Sequence, residues 1–217
     1  MHCQSEILET TETFVKDMFE KEPSGHDWWH LVRVRDMAVR LAEAEGGDVF
    51  ICQMAALLHD VADDKLGDGA EAGLAKVQTF LDSQAIATDL QQKILTIISD
   101  MSYKAGQNDH KTLSLEGQIV QDADRLDALG AIGIARTMVY SGHTGRLIHD
   151  PNLVPREQMT LDAYRSNDGT AIMHFYEKLL KLKDLMNTET AKVIAEGRHA
   201  FLETYLEQFY AEWRASR

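Results

Sequence analysis

Residues Phe50 to Lys65 read FICQMAALLHDVADDK. Phe50, Met54, Leu57, Leu58 and Val61 recur at intervals of three and four, the spacing of one helical face. Cys52, Ala55 and Ala56 add small residues on another face, so the segment is apolar nearly all round. A helix of that kind belongs inside a bundle and not on its surface. Its last turns nevertheless carry His59 and Asp60 side by side, followed by Asp63, Asp64 and Lys65. Ionisable groups are seldom buried unless they are paired or hold a metal. A central helix that ends in a histidine and acids therefore predicts a site as well as a core.

The chain on either side also reads as helical. Glu6 to Glu20 carries Ile7, Leu8, Phe14, Val15, Met18 and Phe19 on an amphipathic helix, which KEPSG (Lys21 to Gly25) stops. His26 to Gly46 places Val34, Met37, Ala38 and Leu41 on one stripe and closes at Gly46-Gly47. Beyond the central helix, Leu66 to Gly73 reads as a loop into a helix bearing Leu74, Val77, Phe80 and Leu81. Asp89 to Met101 predicts another helix and Ser102 to Lys111 a polar loop. Leu115 to Tyr140 predicts a helix interrupted or bent around Gly130 and Gly133.

Ser141 to Arg165 breaks this rhythm, with Pro151, Pro155, Gly142, Gly145, His143 and His149 and no sustained period. Long irregular segments inside a compact domain are characteristically lids or binding loops, so a lid is expected here. Thr170 to Met186 and Thr188 to Trp213 read as two long helices joined at Asn187, the short connection of an antiparallel pair. The expected fold class is all-α. One domain is expected over residues 1–217, with its ligand-bearing core at about 26–140, the lid at about 141–165 and the C-terminal helices at about 170–215.

A chain of 217 residues is long enough for a sizeable core. The formal net charge of −13 argues against nucleic acid as a partner, because affinity for a phosphate backbone needs clustered Lys and Arg. It leaves room for a small phosphorylated molecule whose charge a metal and a few basic residues neutralise. Two cysteines make no disulfide framework; Cys52 reads as a small core residue. The start, MHCQSEILETTETFVKDMF, has neither a basic nor an apolar targeting region, and no run elsewhere approaches a membrane span, so a cytoplasmic location is expected. The long C-terminal helices are compatible with packing on their own core or in a homodimer.

Three stretches supply candidate ligands. In GHDWWHLVRV (Gly25 to Val34), His30 shares the inward stripe of Val34, Met37 and Leu41, with Arg33 beside it. His59-Asp60 is the second. In VQDADRLDALGAIGIAR (Val120 to Arg136), Asp122, Asp124 and Asp127 interrupt an otherwise apolar helix. Two imidazoles with two carboxylates and no thiolate suit one divalent ion such as Mn, Fe, Co, Ni or Mg ahead of structural Zn. Each piece has a blander explanation: a satisfied core histidine, a capping pair at a helix end, or acids favoured by a helix dipole. Their joint occurrence, in this order and spacing, favours the site.

The order His30, His59-Asp60, Asp124 resembles the H…HD…D signature of the HD-domain metal-dependent phosphohydrolases. HDWWHLVRV, LLHDVADDK and QDADRLDALGAIGIAR, with HFYEKLLKLKDLMNTETAKVIAEGRHAFLETYLEQF further on, are similar to the small single-domain bacterial branch of that superfamily. The resemblance implies an all-α HD fold and a divalent metal on His30, His59, Asp60 and Asp124, the last chosen for its ADRL context. It also implies hydrolysis of a phosphorylated small molecule, foremost a nucleotide, as a triphosphate cleaved to monophosphate and pyrophosphate or as a phosphomonoester. Alarmone pyrophosphate hydrolysis is the alternative within the class, and a non-catalytic metal- or nucleotide-binding sensor the alternative outside it.

Further roles follow from position. Asp63, three residues after Asp60, is the candidate to orient or deprotonate water, with Asp64 as competitor or partner. Lys65 and Arg33 are the basic residues closest in sequence to the site and could meet substrate phosphate, with Arg125 and Arg136 as further options. Arg136 is expected on a solvated face. His26, Asp27 and Asp127 are candidates to hold the ligands from behind. Trp28 and Trp29 are expected to pack in the core before stacking on a base. His110 is a weak candidate for a second metal, and His143 and His149 are expected in a surface loop.

Overall fold

The computed structural model describes residues 3–62, 69–101, 112–156 and 168–216. Every regular element among them is helical. They fall into two compact units, Met1–Asp124 and Arg125–Arg217. Asp63, Asp64, Lys65, His110 and the 157–165 part of the expected lid lie outside the described residues.

The first unit is built on the stretch that begins at Phe50. Helix α1 spans Gln4–Phe19, α2 Trp28–Glu45 and α3 Val49–Leu58. Asp48 starts α3 by accepting the Ile51 amide at 3.0 Å. Phe50, Ile51, Cys52 and every residue from Met54 to Leu58 are buried. Helices α1, α2 and α5 (Thr88–Met101) pack around α3. Each fully buried Leu or Met is worth about 1.5–3 kcal/mol over exposure, so α3 is the unit's principal hydrophobic element.

The central helix stops sooner than its periodicity predicts. The α-helical ladder ends at Leu58, and His59–Ala62 forms a tighter 3₁₀ turn, a common ending for a helix. Helix α4 (Ala70–Ser83) begins inside the segment expected to be a loop and packs on that turn and on α5. Helix α6 (Leu115–Asp127) brings Asp124 into the first unit.

The break expected near Gly130 is a complete interruption. Helix α7 (Gly130–His143) starts afresh after an extended Leu129, with Gly130 at φ +69°. That left-handed backbone is open to glycine at little cost. The Leu126 carbonyl near the end of α6 accepts from the Leu129 amide at 3.1 Å and also from Arg198. Helix α8 spans Ala171–Glu177, not the long helix the sequence predicts to Met186. The chain breaks at Lys178 (φ −133°, ψ −61°) and continues as a 3₁₀ helix, Leu179–Leu185. With three residues per turn, that form aligns Leu179 with Leu182 for burial. Thr188 then caps α9, Glu189–Trp213.

Residues 144–156 of the expected lid are held by specific bonds. The Ala171 and Ile172 amides donate to the Leu147 and Ile148 carbonyls at 2.9 and 3.0 Å. The buried Glu177 carboxylate accepts from the Arg156 amide at 3.0 Å and from its guanidinium at 2.8 and 3.0 Å. His149 lies in irregular chain as expected but is half-buried; its ring meets Phe209, Tyr210 and Trp213 with centroids 4.8–5.8 Å away.

Candidate metal centre

His30 lies on the inner face of α2 and has no solvent exposure. Asp27 caps that helix, accepting the His30 amide at 2.8 Å. It therefore fixes His30 through the backbone. His59 and Asp60 occupy the 3₁₀ turn after α3, and Asp124 lies on α6.

The four side chains converge. His30 Nε2 is 3.4 Å from Asp60 Oδ2 and 3.5 Å from Asp124 Oδ1. His59 Nε2 is 3.1 Å from Asp60 Oδ1 and 3.8 Å from Asp124 Oδ1. The two imidazoles stand nearly edge-on, centroids 5.4 Å apart at 72°. His30, His59 and Asp124 form one set of donor atoms lying within 4.8 Å of one another, and His26, His30 and Asp60 form a second. The Asp124 side chain is 39% exposed, which leaves one side of the cluster open to solvent.

His59 Nδ1 donates to the Ala56 carbonyl at 2.8 Å, turning Nε2 toward the carboxylates. That Nε2 is buried and makes no aligned hydrogen bond. Burial alone would push the His59 imidazole down, but the Asp60 carboxylate beside it, helped by Asp124, raises it to about 10. Burial likewise disfavours charge on Asp60, yet His59 and His26 hold its carboxyl well below the usual carboxylate range. Two carboxylates facing two imidazoles, one with an orphaned nitrogen, fit a divalent cation with nitrogen and oxygen ligands.

Other candidates are placed differently. Asp122 is fully buried and belongs to neither donor set. Arg33 lies half-buried one turn beyond His30. Trp29 is 63% exposed, against the expectation of core packing, because the position next to an inward His30 is turned about 100° around the helix. In the second unit, Arg136 is not on a solvated face. It is largely buried and pairs with buried Asp127 at 3.1 Å. Arg125 bonds the Leu185 carbonyl.

Sequence reading missed Glu22. Its carboxylate accepts from the Ser24 amide (2.9 and 3.0 Å), the Ser24 hydroxyl (2.9 Å) and the His26 amide (3.2 Å). KEPSG is thus an organised turn that presents His26, and the acid two residues before a serine was its local signal.

The HD-domain family profile matches residues 28–129, which include His30, His59, Asp60 and Asp124. The chain belongs to the HD superfamily and is a metal-dependent phosphohydrolase, as its motifs imply. It is similar to a crystal structure from Lactobacillus plantarum, with 46% identity, a TM-score of 0.88, and coverage of 99% of this chain and 100% of the other. An HD-superfamily hydrolase from Bacillus thuringiensis is 49% identical, with a TM-score of 0.77 over 98% of this chain and 100% of that one. YpgQ of Bacillus subtilis, solved in complex with ADP, is 36% identical on superposition, with a TM-score of 0.78 over 96% of each chain.

Proposed function

We propose that this enzyme hydrolyses nucleotides, with one divalent ion held by His30, His59, Asp60 and Asp124. The convergence of those four side chains, at 3.1–3.8 Å between facing donor atoms, carries the proposal. The ADP held by YpgQ supports a nucleotide as ligand, and the open side at Asp124 supports access by a small solute. A divalent ion in this set would supply Lewis acidity, polarising a phosphoryl group and acidifying water.

The chain's own residues supply the rest of the reaction. For a triphosphate, water adds to the α-phosphorus, the α–β anhydride bond breaks and pyrophosphate leaves. Asp63, or Asp64 next to it, accepts the proton of that water. Arg33 and Lys65 bind phosphate oxygens and offset their charge.

The test uses metal-depleted protein refilled singly with Mn, Co, Ni or Mg. It is challenged with nucleoside mono-, di- and triphosphates and the alarmone, and phosphate and pyrophosphate are followed separately. Pyrophosphate from triphosphates, lost in His59→Ala, is the expected result. Phosphate from monophosphates would make it a nucleotidase instead. Inactivity towards every nucleotide by protein with ion demonstrably bound would overturn the proposal.

A further inference from the structure

His26 stands on the far side of Asp60 from His59. Its Nδ1 is 3.2 Å from Asp60 Oδ2, and its ring meets His30 edge-on, with centroids 5.5 Å apart. The backbone that presents it is held in place. Glu22 accepts the His26 amide along with three bonds from Ser24, and Gly25 turns the chain at φ +94°, a conformation L side chains rarely adopt. The cluster therefore contains three imidazoles around one buried carboxylate.

The two donor sets share His30, and both of its carboxylate contacts are made through Nε2. One nitrogen lone pair serves one ion, so the two sets describe a single ion position and not two. His26 is then a fifth ligand or a support for Asp60. The geometry favours support: Asp60 Oδ1 faces His59 at 3.1 Å, while Oδ2, 3.4 Å from His30 Nε2, lies closer to His26 Nδ1 at a hydrogen-bond distance of 3.2 Å.

We infer that His26 is a positioning residue for the metal centre, donating Nδ1–H to Asp60 Oδ2 and fixing the rotation of that carboxylate. This rests on the ligand set proposed above. Asp60 is anchored at one oxygen, so its other oxygen reaches the ion without a rotamer search, and the Glu22–Ser24–His26 turn acts on affinity through that bond. Partners that orient a ligating side chain in this way typically change metal affinity about 10–100-fold when removed.

The test compares ion affinity by chelator competition, and the visible spectrum of the cobalt-loaded protein, in wild type, His26→Phe, His26→Asn and His59→Ala. An asparagine amide nitrogen occupies nearly the place of a histidine Nδ1, so it keeps the donor without the ring. His26→Phe is expected to weaken binding about 10–100-fold and alter the cobalt spectrum, while His26→Asn restores most of both. Wild-type affinity in His26→Phe would overturn the inference. Equal losses in Phe and Asn would also overturn it, since the ring itself would then be needed, as for a ligand. His59→Ala separates the layers: if it retains full affinity, the ligand set fails. If it loses binding while His26→Phe does not, only the positioning role fails. Thermal unfolding of the metal-free variants keeps a folding defect apart from both.

Discussion

Gly73 offers a way to move the ligand-bearing turn without touching a ligand. It is buried near the start of α4, where that helix packs on the 3₁₀ turn. A Cβ there would lie 2.6 Å from Ala62 Cα, 2.6 Å from the Val61 carbonyl oxygen and 3.3 Å from the Ala62 carbonyl carbon. Unbonded carbons settle at about 3.5–4.0 Å, so the methyl overlaps backbone by about 1 Å. No rotamer relieves it, because each neighbour is main chain. Such overpacking costs about 1–3 kcal/mol, and the helix propensity of alanine returns at most about 1 kcal/mol, so Gly73→Ala should lose about 1–2 kcal/mol. Gly197→Ala is the control: mid-helix, exposed, with nothing within 4 Å of the added carbon. It should gain up to about 1 kcal/mol. Urea unfolding of the metal-free proteins measures both, and chelator competition should show weaker ion binding in Gly73→Ala alone, since relief displaces the turn carrying His59 and Asp60. A Gly73→Ala protein as stable and as tightly metal-binding as Gly197→Ala would refute the reasoning.

Two further outcomes follow from charge. With His59 raised to about 10 in the metal-free state, an arriving ion must displace its proton, so apparent affinity should climb about tenfold per pH unit across the neutral range; calorimetry in buffers of different ionisation enthalpy counts the proton, and affinity independent of pH would contradict this. The same shift has the opposite sign for metal-free stability, a contribution full below the unfolded value of 6.5 and lost as pH rises through about 10. Burial alone would raise the Glu177 carboxyl, but its hydrogen bonds from Arg156 prevail and hold it below its usual value. That stabilisation is present above the ordinary value of 4.5 and fades as pH falls through the lower folded value. Arg156→Ala should cost about 2–3 kcal/mol at neutral pH and less in acid, and parallel pH–stability curves for variant and wild type would contradict it.

What the sequence made legible was periodic. Helix α3 and the inward stripe of α2 announce themselves because burial on one face repeats every three or four residues, and His30 is read by its place in that stripe. The break at Gly130 is legible too, since glycine marks a backbone other residues avoid. The switch to a 3₁₀ helix after Lys178 has no such signature; it shows only when Leu179 and Leu182 are seen buried together. Pairings across many residues, such as Arg156 with Glu177, are hidden for the same reason. His26 is legible as a support from its place one turn before His30, but its partner Asp60 is not, because a side-chain bond spanning 34 residues leaves no local pattern.

The burial of α3 also has a kinetic meaning. Its amides from Phe50 to Leu58 lie beneath α1, α2 and α5, so hydrogen exchange there should wait for unfolding of the whole first unit. His59 and Asp60 follow directly on that buried rod. The turn that carries them leaves a base that stays still on the timescale of solute arrival. An ion would then meet donors already near their final places, and entry would be governed by loss of its own water and not by rearrangement of the chain.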